Sequence, residues 1–452
     1  MEANHITNLR NISQWKLSPY QMLVISFALL ILVGTILLSL PISSASGQPT
    51  NFVDALFTAT SAVCVTGLVV VDTGTYWSLF GQLVIIVLIQ AGGLGIMTLT
   101  TLMAVLIGKK IKLRERLVMQ EALNQLTLSG VVRLTIYVTK ATLLIEFIGG
   151  TILALHWYSD YGLLSLYLGY WHAISSFCNA GFDLLGNFRS LTGYVSDITV
   201  NLVVSTLIIL GGIGFTVIAD VRTNHGFRKL SLHTRIVIVT SAILLALGTL
   251  VILLLEYNNP ATLGTLSWPD KLLGSYFQSV STRTAGYNTI AIDKLGSATL
   301  FFMVILMFIG ASPASTGGGI KTSTFGVLMT AIWAMIRGKE NVEVFQRRIP
   351  HHIIYKAFSI VFISALLVVF ITMALSIQEP HSFINILFEV VSAFGTVGLS
   401  TGITPSLSPL SKFLLIFTMF AGRVGPFTFA LALALKEKKQ VVHYPEGKII
   451  IG

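Results

Sequence analysis

Apolar and polar residues alternate along this chain in long blocks, and eight of the apolar blocks are long enough to cross a lipid bilayer. A helix needs about 20 residues to span the hydrocarbon core. The sixth block is interrupted in its middle, whereas the others are continuous. The pattern therefore predicts eight membrane spans, at 22–40, 81–107, 131–155, 198–218, 236–255, 300–310 continued by 325–336, 353–375 and 413–435.

A shorter apolar segment lies between the two spans of each successive pair. These four segments are too short to cross the bilayer, which favours re-entrant helices. Each ends in a glycine loop, with an aromatic residue ten positions before the glycine. A serine lies six positions before the glycine in the first, second and fourth segments, and Val280 lies there in the third segment. The loop glycines are Gly67, Gly181, Gly286 and Gly398.

This internal repeat predicts the fold class. We expect an all-α polytopic membrane protein, in which four pseudo-repeats of span, re-entrant pore helix, filter loop and span surround a central pore. The predicted units are a cytoplasmic N-terminus at 1–17, repeat one at 18–108, a cytoplasmic connection at 109–130, repeat two at 131–222, repeat three at 232–336 with an intramembrane loop at 311–321, repeat four at 353–435 and a cytoplasmic C-terminus at 436–452.

Composition and charge agree with this pattern. Hydrophobic residues make up 54% of the chain and charged residues 11%, whereas soluble proteins carry about 25% charged residues. Connections after the even-numbered spans are basic, so the positive-inside rule places them and both termini in the cytoplasm. Orientation accounts for the net charge of +10 without a nucleic-acid partner. Contact of the basic face with anionic lipid or an acidic subunit stays open.

Glycines also cluster inside the second span of each repeat, and the third cluster differs from the rest. We expect the clusters of repeats one and two to allow close helix packing. The third combines proline, glycines and hydroxyls, which is incompatible with a regular helix. Irregular backbone at membrane depth is tolerated where it lines a cavity. The segment is not a nucleotide-binding P-loop, because Ile320 separates the last glycine from Lys321 and no strand precedes it.

Two arginines lie in apolar surroundings. Arg423 in the last span is either a latch and cation barrier bonded to the 311–324 segment, or a side chain that reaches to the cytoplasmic edge. Arg283 lies beside the third loop, and a pairing with Glu389 is one way to neutralise it. Cys64 and Cys178 hold equivalent positions, and two buried free thiols are favoured over a bridge.

The loop sequences resemble the filter loops of the Ktr/Trk/HKT superfamily of potassium transporters. The resemblance includes the glycine-rich break in the sixth span and Arg423, covers residues 18–452, and is closest to the bacterial Ktr-type membrane subunit. It implies a pseudo-fourfold pore, a homodimer, a cytoplasmic ring of nucleotide-binding regulatory subunits, location in the bacterial plasma membrane, and K⁺ uptake that depends on Na⁺. Members with serine in the first loop prefer Na⁺, whereas here all four loops keep glycine.

Two sets of residues follow from the repeat and the resemblance. The expected K⁺ filter consists of Val65, Thr66, Gly67, Asn179, Ala180, Gly181, Thr284, Ala285, Gly286, Thr396, Val397 and Gly398. The expected gate consists of Ala311, Ser312, Pro313, Ala314, Ser315, Thr316, Gly317, Gly318, Gly319, Lys321 and Arg423. We expect K⁺ as the transported ion, Na⁺ as a possible second ion, and neither an organic cofactor nor a transition-metal site.

Other functions remain open at this point. A channel or symporter for Na⁺, or for monovalent cations without selectivity, uses the same architecture. A polytopic membrane enzyme is the alternative from a different class. The histidines are scattered without metal-ligand spacing, and no nucleophile elbow is present. His172 is expected to be a structural residue of the second re-entrant helix.

Overall fold

The computed structural model describes residues 18–95 and 131–425, together with Leu117 and Thr428. The predictions for 1–17, for the 109–130 connection apart from Leu117, and for 436–452 lie outside these residues. Nearly all of the regular secondary structure in the described residues is helical.

The helices follow one another in the order span, short helix, loop and span. They are α1 (Pro19–Ser39), α2 (Phe52–Cys64), α3 (Thr73–Tyr76), α4 (Leu79–Leu94), α5 (Val131–His156), α6 (Tyr158–Tyr161), α7 (Leu164–Phe177), α8 (Ile198–Gly212), α9 (Phe215–Thr223), α10 (Leu232–Glu256), α11 (Trp268–Ser281), α12 (Ser297–Phe308), α13 (Thr322–Ile336), α14 (His351–Gln378), α15 (Phe383–Gly395) and α16 (Pro409–Val424). A two-stranded antiparallel hairpin, β1 (Glu343–Val344) and β2 (Arg347–Arg348), precedes α14.

Local sequence explains where several helices begin. Ser18 accepts a hydrogen bond from the amide of Gln21, whose side chain bonds back to Ser18, and Pro19 starts α1. Ser78 caps α4 and Ser231 caps α10 in the same way as N-terminal acceptors. Within the described residues, α1, α5, α10 and α14 are long and apolar enough to span a membrane, and the bent pair of α8 and α9 makes a fifth candidate.

The second span of a repeat is where the prediction of continuous helices is wrong. A bend of 92° separates α8 from α9, at Gly214, which has φ 98°. α4 and α16 end at the equivalent Gly95 and Gly425, with φ 81° and 93°. Glycine alone adopts such angles without strain. The remainders of those two predicted spans, 96–107 and 426–435, lie outside the described residues apart from Thr428. The predicted interruption of the sixth span is confirmed, because α12 and α13 flank an irregular segment at 309–321.

The four short helices lie at the centre and the long helices lie around them. Each of α2, α7, α11 and α15 packs against the span that precedes it. The first and last repeats also meet, because Lys412 Nζ of α16 lies 2.8 Å from Asp54 Oδ1 of α2. Apolar side chains on α1, α5, α10 and α14 are exposed, including Leu29, Leu144, Leu254 and Phe370. An apolar exposed face suits contact with lipid, and the all-α polytopic fold class is confirmed.

Candidate functional site

The four glycine loops meet in a closed ring at the centre of the molecule. A Cβ atom added at Gly181 would lie 2.6 Å from the carbonyl oxygen of Ala285, and one at Gly286 would lie 2.6 Å from that of Val397. Gly67 and Gly398 face the carbonyls of Ala180 and Thr66 in the same manner. Each loop glycine therefore touches the carbonyl before the glycine of the next loop, and the fourth loop returns to the first.

The backbone of the loops has a common conformation. The residue two before each glycine is left-handed, with φ 57° at Val65, 59° at Asn179, 70° at Thr284 and 49° at Thr396. The glycines also have positive φ, between 67° and 91°. The twelve predicted filter residues therefore lie in four loops of one conformation, brought together as expected. We call the side of the ring nearest the residues two before the glycines its lower side.

Hydroxyl groups on α2, α7, α11 and α15, which we call the pore helices, hold the loops in place. Ser61 Oγ accepts a hydrogen bond from the amide of Gly67 at 3.0 Å, and Ser392 Oγ accepts one from Gly398 at 3.1 Å. Ser175 Oγ instead donates to the carbonyl of Phe182 at 2.8 Å. In the third loop Ser281, one position after Val280, donates to the carbonyl of Tyr287.

The third repeat thus keeps the supporting serine but shifts it by one position. The amide before the glycine bonds to a serine carbonyl in every loop. The separation is five residues for Thr66, Ala180 and Val397, but four for Ala285, which bonds to Ser281. An ungapped comparison of the four segments could not find Ser281, because the turn that follows α11 is tighter by one residue.

Buried aromatic side chains pack against the second loop and its pore helix. Tyr287 Oη donates to the carbonyl of Phe182 at 2.7 Å. His172 is fully buried among Trp157, Trp171 and Tyr287, and its Nδ1 lies 2.7 Å from the carbonyl of Leu168. The expectation that His172 is structural agrees with this packing. Among the described residues there is no cluster of three side chains suited to a transition metal.

The glycine clusters of the second spans pack directly on the pore helices. A Cβ atom at Gly92, Gly211 or Gly422 would collide with a backbone carbonyl oxygen of a pore helix. In each case the oxygen belongs to the residue four positions before the loop glycine. These oxygens belong to Val63, Phe177 and Phe394. The expected packing role is thus present in repeats one and two, and it extends to repeat four.

The segment 309–321, which we call the gate segment, lies against the lower side of the ring. Its ends meet in a parallel bridge between Ile309 and Ile320. The amides of Ser312 and Thr316 donate to the carbonyls of Gly212 and Gly211, at 3.0 and 3.2 Å. The segment is therefore bonded to the glycine pair of α8 in the neighbouring repeat, at the bend before α9.

Arg423 joins three repeats around the gate segment. Its Nη1 donates to the carbonyl of Thr316 in the gate segment, and its Nη2 donates to the carbonyl of Gly92. A third contact runs to the carbonyl of Gly93 at 3.3 Å. Lys321 Nζ also bonds within the segment, to the carbonyl of Gly317 at 2.7 Å. Arg423 thus bonds to one carbonyl of the segment, as the latch hypothesis requires, and the edge-reaching alternative is wrong.

A cavity of about 600 Å³ lies beside the gate segment. It is lined by Pro313, Lys321 and Arg423, and by Gly95 and Gly425, where α4 and α16 end. The segment therefore separates the ring of loops from an open space, and four cationic side chains line that space: Lys321, Arg348, Lys356 and Arg423.

The predicted pairing of Arg283 with Glu389 is wrong. Arg283 Nη2 donates to Ser241 Oγ at 3.1 Å. Glu389 accepts hydrogen bonds from the amide of Thr401 at 3.1 Å, from Thr404 Oγ1 at 3.0 Å and from Ser400 Oγ. Glu389 braces the connection after its own loop, because hydroxyls and an amide there satisfy the carboxylate without a cation.

Both cysteines are buried free thiols, as expected. Cys178 lies beside a polar pair that was not predicted from the sequence. Its Sγ is 3.4 Å from Gln90 Oε1, and Gln90 Nε2 is 3.2 Å from Glu146 Oε2. A glutamate in the apolar run of α5 was the available signal, since an ionisable residue at membrane depth usually has a partner.

Comparison with known proteins agrees with this architecture. The family model TrkH, described as a cation transport protein, matches residues 10–444. Ktr system potassium uptake protein B of Bacillus subtilis is 46% identical over 97% of this chain and 97% of its own length. Potassium/sodium uptake protein NtpJ of Enterococcus hirae is 40% identical over 97% of this chain and 98% of its own.

A solved structure has the same fold. The crystal structure of the potassium transporter TrkH from Vibrio parahaemolyticus matches 93% of this chain and 86% of that chain with a TM-score of 0.73, at 18% sequence identity. Together with the family match over most of the sequence, the relatives at 40% identity and above establish the relationship. This chain belongs to the TrkH family of cation transport proteins.

Proposed function

We propose that this chain is the membrane subunit of a bacterial potassium uptake system and moves K⁺ inward through the ring of four loops. The ring itself carries the proposal, because every loop glycine lies against a carbonyl of the next loop. The family consists of cation transporters, so the alternative of a membrane enzyme is excluded. Relatives over the full length are named as potassium uptake proteins.

The backbone carbonyls of the loops are the proposed ion ligands. Carbonyl oxygens replace part of the hydration shell of K⁺ as the ion enters a filter. The pore helices end at the ring, so the negative ends of their dipoles point toward the ion. The contributing residues are Val65, Thr66, Asn179, Ala180, Thr284, Ala285, Thr396 and Val397, with Gly67, Gly181, Gly286 and Gly398 allowing the required backbone angles.

A second candidate is transport of Na⁺, or of both ions. Only the fourth loop contains Thr396-Val397-Gly398, the start of the K⁺-channel filter sequence, so the ring is chemically unequal. One relative at 40% identity is named a potassium/sodium uptake protein. We therefore include a dependence on Na⁺ in the proposal and expect weaker discrimination than in a symmetric channel.

Residues 311–319, Lys321 and Arg423 are the proposed gate. The gate segment lies between the ring and the cavity, in the proposed path of the ion. Arg423 adds positive charge on the same path, which repels cations in a region of low dielectric.

The proposed setting is the bacterial plasma membrane, with both termini in the cytoplasm. The basic connections support this orientation. A homodimer and a cytoplasmic ring of nucleotide-binding regulatory subunits complete the proposal, in accord with the resemblance to Ktr-type subunits and with relatives named as parts of a Ktr system. The assignment of residues 18–108, 131–222, 232–336 and 353–435 as repeats stays a prediction.

Ion flux into liposomes tests the proposed function. The purified full-length chain should carry K⁺ faster than Na⁺. Gly286→Ser and Gly398→Ser should lower K⁺ flux by about tenfold, equivalent to about 1.4 kcal/mol in the barrier, because a Cβ atom there collides with the next loop.

Gly193→Ser is the matched control. A Cβ atom at Gly193 meets no other atom within 4 Å, so this variant should transport as the wild type does. Equal K⁺ kinetics in all three serine variants would contradict the filter assignment. Flux that favours Na⁺ in the wild type would support the second candidate.

A further inference from the structure

We propose that the side chains two positions before the loop glycines hold the gate segment against the ring and thereby couple the filter to the gate. The side chains are those of Asn179, Thr284 and Thr396. This inference rests on the proposed function, since it concerns how the same filter is regulated. It assigns these side chains a role distinct from that of their backbone carbonyls.

Direct hydrogen bonds join the gate segment to two of the loops. The amide of Gly318 donates to Thr396 Oγ1 of the fourth loop at 2.9 Å. Thr316 Oγ1 donates to Asn179 Oδ1 of the second loop at 3.1 Å. All four residues are buried, so water does not replace these partners if the bonds break.

The third loop takes part through the second and through close packing. Asn179 Nδ2 donates to Thr284 Oγ1 at 3.3 Å. Gly317 lies so close to Thr284 that its Cα leaves no room for a Cβ atom, which would collide with the Thr284 hydroxyl. The contacts therefore run from Thr316 through Asn179 to Thr284. The packing of Gly317 against Thr284 returns them to the gate segment.

The first loop supplies the contrast. Its residue at this position is Val65, which has no polar group to offer. Among the described residues, no hydrogen bond joins the gate segment to the first loop. The loop without a contact thus has an apolar side chain at this position, whereas the two loops that bond to the segment and the third loop, which packs against Gly317, have polar ones. Backbone coordination of an ion does not require this difference, whereas docking of the gate segment explains it.

Coupling follows from the position of these groups. Each lies on a filter loop, so displacement of the gate segment removes a restraint from the loop, and rearrangement of the loop removes a bond from the segment. Such linkage is reciprocal. A cation bound in the ring, which orders the loops, should therefore favour the docked segment, and release of the segment should loosen ion discrimination.

Hydrogen exchange on the purified full-length protein tests the docking directly, without reliance on transport. Thr396→Val keeps the shape of the side chain and removes the acceptor for Gly318. Loss of one buried hydrogen bond should raise amide exchange across 311–321 by about fivefold. Thr35→Val is the control, because Thr35 is equally buried but its hydroxyl bonds to Ile31 within α1. It should leave the exchange of 311–321 unchanged.

Liposome flux then tests the coupling. Thr396→Val and Thr316→Val should lower the ratio of K⁺ to Na⁺ flux, although neither changes a filter carbonyl. Asn179→Leu combined with Thr316→Val should have no larger effect than Asn179→Leu alone, since Asn179→Leu already removes the bond to Thr316.

The outcomes separate this inference from the proposed function. Unchanged exchange and an unchanged ion ratio in Thr396→Val and Thr316→Val would overturn the coupling, provided that the wild type carries K⁺. A wild type that carries no K⁺ but shows the exchange difference would contradict the proposed function and leave the docking supported.

Discussion

Left-handed residues in the loops show where residue-level rules fail in this protein. Val65 and Thr396 are β-branched, and both have positive φ, a conformation that costs about 1–3 kcal/mol for such residues. From their intrinsic backbone propensity alone, both residues would be expected in a β-strand, with negative φ. The pore helices and the serine hydroxyls hold the strained conformation. The repeated glycine could be read from the sequence, whereas the angle two residues earlier depends on the ring.

Asp183 gives a pH dependence at the residue scale. It lies in the connection after the second loop, where burial, with the nearby charge of Asp72, raises the pKa of its carboxyl to about 7. A raised pKa in the folded state means that ionisation disfavours folding. The free energy of unfolding is therefore highest below the ordinary pKa of 3.8, and it falls as the pH rises from there to about 7.

Asp183→Asn should accordingly raise the Tm at pH 8 by about 2–4 °C. The gain should shrink at pH 5, where the wild-type carboxyl is protonated. Thermal unfolding of the purified protein at both pH values measures this. Asp160→Asn, at an exposed carboxyl in α6, is the control. A gain for Asp183→Asn that is equal at both pH values would contradict the assignment.

At the scale of elements, helix existence was predictable and helix continuity was not. Apolar run length located α1, α5, α10 and α14 to within a few residues. The same criterion extended the fourth span through Gly214, where the chain bends by 92°. Hydropathy does not register a backbone angle. The G-x-x-G spacing that Gly92, Gly211 and Gly422 begin was visible, but close packing alone explained it, and the helix break at the last glycine was missed.

The gate segment is the element whose removal has the clearest consequence. Deletion of 314–318 removes Thr316 and Gly318, which bond to the second and fourth loops. If the segment is the proposed barrier between the ring and the cavity, flux through liposomes should rise severalfold. A fall in flux at normal protein abundance would instead assign the segment a structural role.

On the scale of the whole molecule, Arg423 connects parts that are distant in sequence. Arg423→Ala removes donors to the carbonyls of Thr316 and Gly92. A hydrogen bond from a charged group contributes about 1.5–3 kcal/mol, so we expect K⁺ flux to rise by about tenfold or more.

Arg423→Lys separates the two roles of this residue. Lysine keeps the positive charge but lacks the fork that reaches both carbonyls. If the latch dominates, the lysine variant should conduct nearly as well as the alanine variant; if the charge barrier dominates, it should conduct like the wild type. Unaltered flux in both variants would exclude Arg423 from the gate.

The four-part arrangement itself could be predicted, because each repeat has a loop glycine at the same position in the sequence pattern. Its asymmetry could be read only in part. Ser281 replaces the serine absent at Val280, and Arg283 bonds to Ser241 rather than to Glu389. Both contacts depend on the local backbone conformation, which differs among repeats of similar sequence.

The contact between Asp54 and Lys412 also has a consequence for how the chain matures. The two residues are 358 positions apart, and the first loop touches the fourth through Gly398 and Thr66. Contacts of such sequence separation form late. During synthesis, the first three loops therefore lack contacts with the fourth loop until that loop has been made. A chain that ends before the fourth loop lacks both contacts, so its ring of loops cannot close.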